Sequence, residues 1–286
     1  MKSLEAWPGP MEGVASPGFV RAANALKLVS RWMTPFVRVS SGVPGRRKLV
    51  AFLSPFLEGE VPVTAQLMGT DAQLLVRCAE SLLALGATGI NLNFGCPNRR
   101  VVNGKAGGGA LKEPERAAEL LASVGDALPG VPLSVKMRAG FGDFAELETL
   151  LPLLVSTGAA QKFFIHHRTV KELYCDVPDR CDRFDAIVRL AGNAPVVLNG
   201  DIATAEEARR LVERTCGAGV MCARYWMRDP FLLCRIEGKI VPEAEEGREL
   251  FYAELLRSGA AGGALIELAK LLYGPTDPHF LKLVGK

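Results

Sequence analysis

The feature that most constrains this chain is a repeat of type rather than of letters. Short apolar runs bounded by Gly or Pro recur along it, and each is followed by a stretch with helical periodicity. Such alternation leaves successive strands parallel, because the intervening helix carries the chain back before the next strand begins. The candidate strands end in GPM (9–11), TPFVRV (34–39), TAQLMG (64–69), GINLNFGCP (89–97), LSVKMRAG (133–140), KFFIHHRT (162–169), VVLNGDI (196–202) and GVMCARY (219–225). Eight such units within about 230 residues predict an α/β protein of the closed (β/α)8 type, the TIM barrel. A doubly wound open sheet usually has fewer strands and opens on GxGxxG, which does not follow the first strand here.

The helical segments carry their own punctuation. Asp71 is an N-cap candidate for a helix to Leu85, and Thr204 for one to Cys216 with Glu206 and Glu207 in its first turn. Gly86 and Gly217 sit where C-caps belong. The stretch 40–60, with its prolines, glycines and RRK, reads as a long insertion after the second strand. After about Gly238 the pattern becomes Glu- and Leu-rich helix (243–258, then 261–273), so the expected organisation is a barrel over 1–238 and a short helical appendage over 239–286.

Composition narrows the classes further. The 286 residues are 49% hydrophobic, enough for one large core without staples. Seven cysteines without a CxxC pair or regular spacing argue for reduced thiols rather than a disulfide framework. No charge-free apolar stretch approaches about 18 residues, and MKSLEAWPGPMEG lacks the apolar run of a signal peptide, so the chain reads as soluble and cytoplasmic with no membrane partner. A net charge of +3 permits a nucleic-acid partner without demanding one.

In a β/α barrel the chemistry collects at the C-terminal strand ends. Nearly every strand end here has a polar residue: Glu12, Arg38, Gln66, Asn93 with Cys96, Lys136 with Arg138, His166 with Arg168, Asn199 with Asp201, and Arg224. The turn at Gly200 and the run into Ala223 and Arg224 suit a bound phosphate, since the loops after the seventh and eighth strands commonly hold one. Lys136 would point into the barrel mouth beside Gln66 and His166, where a charge needs an anionic partner; a reduced flavin and a carboxylate would both serve. Cys96, in NFGCPNRR, is either a small core residue or a thiol poised to deliver a proton. Behind it Arg99, Arg100 and Lys105 stand in a glycine-rich loop (103–110) suited to a phosphate backbone. His166 and His167 would point to opposite faces of a strand, which with the cysteine spacing gives no metal site.

Taken together, GPMEGV (9–14), QLMG (66–69), LNFGCPNRRVVNGKAGGGALKEPE (92–115), VKMRAG (135–140), IHHRT (165–169), NGDI (199–202) and VMCAR (220–224) resemble the transfer-RNA dihydrouridine synthases, in the family's order, and FVRV (36–39) with VNGKAGGGA (102–110) looks most like the bacterial C-type subgroup. The resemblance implies FMN held by Pro10, Met11, Glu12, Gln66, Lys136, His166, Asn199, Gly200, Asp201, Ala223 and Arg224, with NADPH as reductant. It implies Cys96 as proton donor to a uridine of the transfer-RNA D-loop, flipped out of its stack, with Asn93 beside the base. Arg38, Arg99, Arg100, Lys105, Arg138 and Arg168 would then face the RNA, and 239–286 would be a short RNA-binding domain of a monomer without a stable protein partner. The chain departs from the family at Ala15, Ser16, His167 and Ala223, and its tail is shorter. Two other readings share some of these residues: a flavin enzyme on a free pyrimidine, like dihydroorotate dehydrogenase, and a transfer-RNA binding protein without catalysis.

Overall fold

A computed structural model of the chain describes residues 4–283; the outermost residues of the two expected domain ranges, 1–3 and 284–286, lie outside the described residues. Strands and helices alternate as β1 (Ala6–Pro8), α1 (Pro17–Ala25), β2 (Trp32–Arg38), α2 (Arg46–Leu57), β3 (Val63–Met68), α3 (Ala72–Leu83), β4 (Gly89–Phe94), α4 (Arg99–Asn103), α5 (Pro114–Ala127), β5 (Leu133–Arg138), α6 (Leu147–Ser156), β6 (Lys162–His166), α7 (Arg180–Ala191), β7 (Val196–Asn199), α8 (Ala205–Thr215) and β8 (Gly219–Cys222). Short helices α9 (Arg224–Arg228) and α10 (Leu232–Ile236) follow, then α11 (Ala244–Arg257), α12 (Gly262–Tyr273) and α13 (Pro278–Leu283). All eight strands are parallel, and the first pairs with the last, so the sheet wraps into the expected barrel.

The barrel is least regular at β2. Pro35 has no N–H to give the ladder, and the register with β3 shifts between Met33 and Phe36. Thr34 repairs the break: its Oγ1 accepts the Gln66 N–H at 3.0 Å. Elsewhere the register places functional positions level with one another, pairing Asn93 with Lys136, Arg138 with His166, and His166 with Asn199. Their side chains therefore reach one end of the barrel at similar heights.

Two apolar layers hold the walls. Inside the barrel, Trp7, Met33, Phe164, Val197 and Met221 form a plug, with Trp7 edge-on to Phe164 at 4.9 Å between ring centres. Outside it, a line of rings runs from Phe56 through Trp32, Trp226 and Phe19 to Phe251, each pair 5.3–6.0 Å apart and edge-on. That line joins α2, β2, α9, α1 and α11, so the C-terminal helices share the main core. Gly18 permits the approach, because a Cβ there would lie 2.9 Å from the Ala260 backbone.

Local signals behave unevenly. Asp71 accepts the Leu74 N–H at 2.9 Å and Thr204 the Glu207 N–H at 3.1 Å, as N-caps should. At the other end of α8 the expectation fails: Cys216, not Gly217, takes the left-handed turn, at φ 59°. The supposed insertion at 40–60 is an ordinary crossover containing α2, whose internal Pro55 disguises its periodicity. The first strand closes at Pro8, so GPM begins the loop beyond it. Among the described residues no helix is long and apolar enough to cross a membrane.

Phe251 is buried at the junction of α11 with the barrel. Phe251→Ala is expected to lower unfolding free energy by about 3–5 kcal/mol, and urea titration followed by tryptophan fluorescence should show one transition, not two. A separate early transition for the C-terminal helices would contradict a shared core.

Candidate active site

The C-terminal strand ends enclose a cavity of about 420 Å³. Its wall contains Pro10, Met11 and Glu12 after β1, Asn93 on β4 with Cys96 just beyond it, Lys136 and Arg138 on β5, and His166 on β6. Asn199 at the end of β7, Gly200 and Asp201 just after it, and Ala223 and Arg224 after β8 complete that side. Thirteen of the residues expected at the site thus meet around one space.

Beneath it runs a chain of amides. Asn91 Nδ2 donates to Ser134 Oγ (2.9 Å), Gln66 Nε2 to Asn91 Oδ1 (2.7 Å), and Asn93 Nδ2 to Gln66 Oε1 (2.8 Å). Asn93 Oδ1 in turn accepts the N–H groups of Gly95 and Cys96, both at 3.0 Å. Gln66, expected at the cofactor, therefore lies one layer below the cavity, fully buried and with both ends of its amide engaged. It supports the wall and does not line it.

Cys96 is clamped from the other side as well. Its carbonyl accepts the Gly108 N–H at 2.9 Å, and a Cβ on Gly107 would lie 2.9 Å from Cys96 Cβ. The glycine-rich loop expected to touch a phosphate backbone is instead buried at Gly107–Gly109, where it backs the cysteine. Burial pushes the Cys96 thiol up; the backbone hydrogen bond at Asn98, Arg138 and Lys136 pull it down, and the Glu12 carboxylate adds to the rise. The balance keeps it a thiol at neutral pH.

Lys136 is the least comfortable group here. Among the described residues no carboxylate acts on it, while burial and then the Arg138 charge push it down to about 8, with Cys96 opposing weakly. His166 is neutral because burial, then Arg138 and Lys136, hold it well below its usual value. Its Nδ1 accepts the Arg168 N–H at 3.2 Å, which leaves the ring proton on Nε2. The two histidines do not straddle the strand as expected: β6 ends at His166, the chain turns, and the rings stack at 5.0 Å. Only His166 lines the cavity. His167, fully buried, has no hydrogen-bond partner at either ring nitrogen among the described residues, and burial lowers it to about 4. Gly200, at φ 126°, has to be glycine beside it, since a Cβ would sit 2.4 Å from His167 Nδ1.

The positive residues divide. Arg38, Arg99 and Arg100 are exposed and away from the cavity, and Lys105 pairs with Glu113 at 2.6 Å. Arg138 reaches the cavity but is buried, its Nη1 donating to the carbonyls of Thr169 (2.8 Å) and Leu173 (2.7 Å). Arg168, expected to face RNA, is 3% exposed and bonded to Asp201 and the Cys175 carbonyl. Asp201 also binds Arg224; burial alone would raise its carboxyl, but Arg168 and Arg224 outweigh that and hold it below the usual range.

Several lining residues escape a reading of the sequence. Tyr174, in the β6–α7 loop, lies between the guanidinium of Arg138 at 5.3 Å and that of Arg224 at 5.0 Å. Phe36 comes from the β2 bulge, and Leu271 from α12. An aromatic eight residues beyond a strand-end histidine was the available signal for Tyr174; a helical leucine gives none. Among the described residues the seven cysteines are free and no group of three metal-ligating side chains gathers.

A parallel barrel with its polar cavity at the C-terminal strand ends belongs to the (β/α)8 class, in which chemistry is done at that end. Solved structures of similar fold include a 2-naphthoyl-CoA reductase with 2-naphthoyl-CoA (TM-score 0.63, 11% identity, 82% of this chain and 50% of that one). Another is TcOYE with pHBA (TM-score 0.61, 10% identity, 88% and 93%). A family model, Dihydrouridine synthase (Dus), matches residues 9–258. A probable tRNA-dihydrouridine synthase of Rhodobacter capsulatus is 32% identical over 68% of this chain, which spans 60% of that relative. The tRNA-dihydrouridine(16) synthases of Pseudomonas syringae pv. tomato and Cupriavidus necator are 31% and 34% identical, over 86% and 80% of this chain and 78% and 72% of theirs. The chain belongs to the dihydrouridine synthase family, a family of oxidoreductases.

Two measurements probe the site in the ligand-free chain. Alkylation of Cys96 should have a pH midpoint above that of a free cysteine, and Glu12→Gln should move it down; a midpoint below free cysteine would show an activated thiolate instead. For Lys136 the unfolded chain binds the proton more tightly than the folded one, so between about pH 8 and the ordinary lysine value of 10.5 stability rises with pH. Lys136→Met should therefore be more stable than wild type at pH 7, by up to about 3 kcal/mol, and the gap should close towards pH 10.5 in denaturant titrations.

Proposed function

We propose that this protein reduces the C5=C6 bond of a uridine in the D-loop of transfer RNA, with FMN bound in the cavity and NADPH as the reductant. The observation that carries the reading is Lys136, a cation in the cavity that no carboxylate of the described chain neutralises. The anionic N1–C2=O edge of a reduced flavin is a partner of the right charge, and a cavity of about 420 Å³ falls in the range of cofactor sites.

Pro10, Met11, Glu12, His166, Asn199, Gly200, Asp201, Ala223 and Arg224 would hold the cofactor with Lys136, and Gln66 would act through Asn93. When bound, a flavin supplies the hydride for C6 of the pyrimidine. The thiol of Cys96 delivers the proton to C5 and regains one from water. Asn93 orients the Cys96 loop through its two accepted N–H bonds and borders the space for the base. Flipping the base costs a few kcal/mol, least in loops, and exposed Arg38, Arg99 and Arg100 would grip the backbone. The helices from 239 onward would extend that surface. Relatives named for position 16 favour that D-loop site. The chain would act as a monomer in the cytoplasm, where its RNA and reductant occur together.

Purified protein should be yellow. In transfer RNA from a deletion strain, mass spectrometry should find the two-hydrogen increment missing at one site, restored by wild type and not by Cys96→Ala. In vitro that variant should lose about 10²–10⁴-fold in rate. Turnover of free orotate without any on transfer RNA would favour an enzyme of free pyrimidines; a colourless protein that binds RNA would favour a non-catalytic binder.

A further inference from the structure

The loop between β6 and α7 carries Tyr174 to the wall of the main cavity, although that ring is 59% exposed. An aromatic so open has little burial of its own to keep it in place, so whatever holds the loop holds the ring. From the barrel side, Arg138 Nη1 donates to the carbonyls of Thr169 and Leu173, and Arg168 Nε donates to that of Cys175. Leu173 itself takes a left-handed backbone at φ 51°, which a leucine keeps only where its surroundings impose it. From the outer side, one ion pair imposes it. The Glu172 carboxylate accepts the Thr169 N–H at 2.7 Å, while the Thr169 hydroxyl accepts the Glu172 N–H at 3.2 Å, which closes 169–172 into a turn. Both carboxylate oxygens also accept from Arg183 of α7, Oε1 from Nη2 and Oε2 from Nη1, each at 2.9 Å. The same guanidinium donates to the His167 carbonyl at 3.3 Å and to Asp179 at 3.1 Å, and lies over the Phe144 ring at 4.8 Å. A planar fork matched to both oxygens of a carboxylate fixes direction as well as distance. With Arg183 only 13% exposed, solvent screens this pair less than the open Arg214–Asp185 pair on the same helix.

We propose that Glu172 and Arg183 are positioning residues: together they fix the turn at 169–173 and so keep Tyr174 over the mouth of the main cavity. Neither side chain lines that cavity, so the pair acts on a bound pyrimidine only through the loop. The inference rests on the reading of the main cavity given above.

Four variants test it. Arg183→Met keeps the apolar stem over Phe144 and removes the fork, Arg183→Lys keeps the charge, and Glu172→Gln keeps an acceptor for Thr169. Asp185→Asn breaks the exposed pair of α7 and serves as the control. In the ligand-free protein, hydrogen exchange over 169–177, read by mass spectrometry, should be about tenfold faster in Arg183→Met. Arg183→Lys and Glu172→Gln should show part of that change, and the strands none. On an unmodified transfer-RNA transcript, Tyr174→Ala should lower kcat/KM, and Arg183→Met should lower it about tenfold. Combined with Tyr174→Ala, Arg183→Met should cost nothing further, because the position of the loop then no longer matters. Exchange no faster than in Asp185→Asn overturns the assignment, as does a Tyr174→Ala variant with undiminished kcat/KM. A loss from Arg183→Met that is as large without Tyr174 as with it shows a pair that merely stabilises α7. Should the wild-type protein reduce no uridine, the proposed reaction falls, while the exchange measurement still decides whether this pair holds the loop.

Discussion

A row of amides inside a barrel is tolerable only if every member is satisfied, and the chain from Ser134 through Asn91 and Gln66 to Asn93 meets that condition. Left unpaired, each buried amide end would cost about 1–3 kcal/mol. Paired, they transmit the strand register to the loop above. Asn93 stands level with Lys136 in the β4–β5 ladder, and its carbonyl oxygen ties down the backbone of Cys96. The thiol's position is therefore set from the barrel interior, with the buried glycines closing the other side. Pro35 is part of the same design, since the bulge it causes lets Thr34 take the Gln66 N–H.

Much of this was open to reading in the residues. Parallel strands follow from apolar runs alternating with amphipathic segments, and the strand-end polar residues did converge, because a barrel offers them one common face. What could not be read were effects of the third dimension. The glycines at 107–109 looked like a phosphate cradle, but spacing alone does not distinguish glycines that admit a ligand from glycines that admit a neighbouring loop. Arg168 looked like an RNA contact, yet the β6–α7 loop folds over it. Leu271 reads as any helical leucine until α12 is placed against the barrel. Pro55 hid a helix, and the left-handed turn at Cys216 ignored the glycine beside it.

The site is also a place where the fold gives up stability. Among the described residues no carboxylate acts on Lys136 in the cavity, and none hydrogen-bonds either ring nitrogen of the buried His167. Asp201 holds a left-handed backbone at φ 48° while engaging two arginines. Strain and unmet charge of this kind persist only where surrounding packing over-determines them. The inner plug of Trp7, Phe164 and their neighbours, with the outer line of rings, supplies that packing.

Because β1 finds its partner in β8, and Leu271 of α12 closes part of the cavity wall, the pocket is assembled from both extremes of the described chain. During synthesis, then, no nascent polypeptide owns a finished pocket until α12 has left the ribosome. Premature capture of a ligand by a half-made cavity is disfavoured by topology alone.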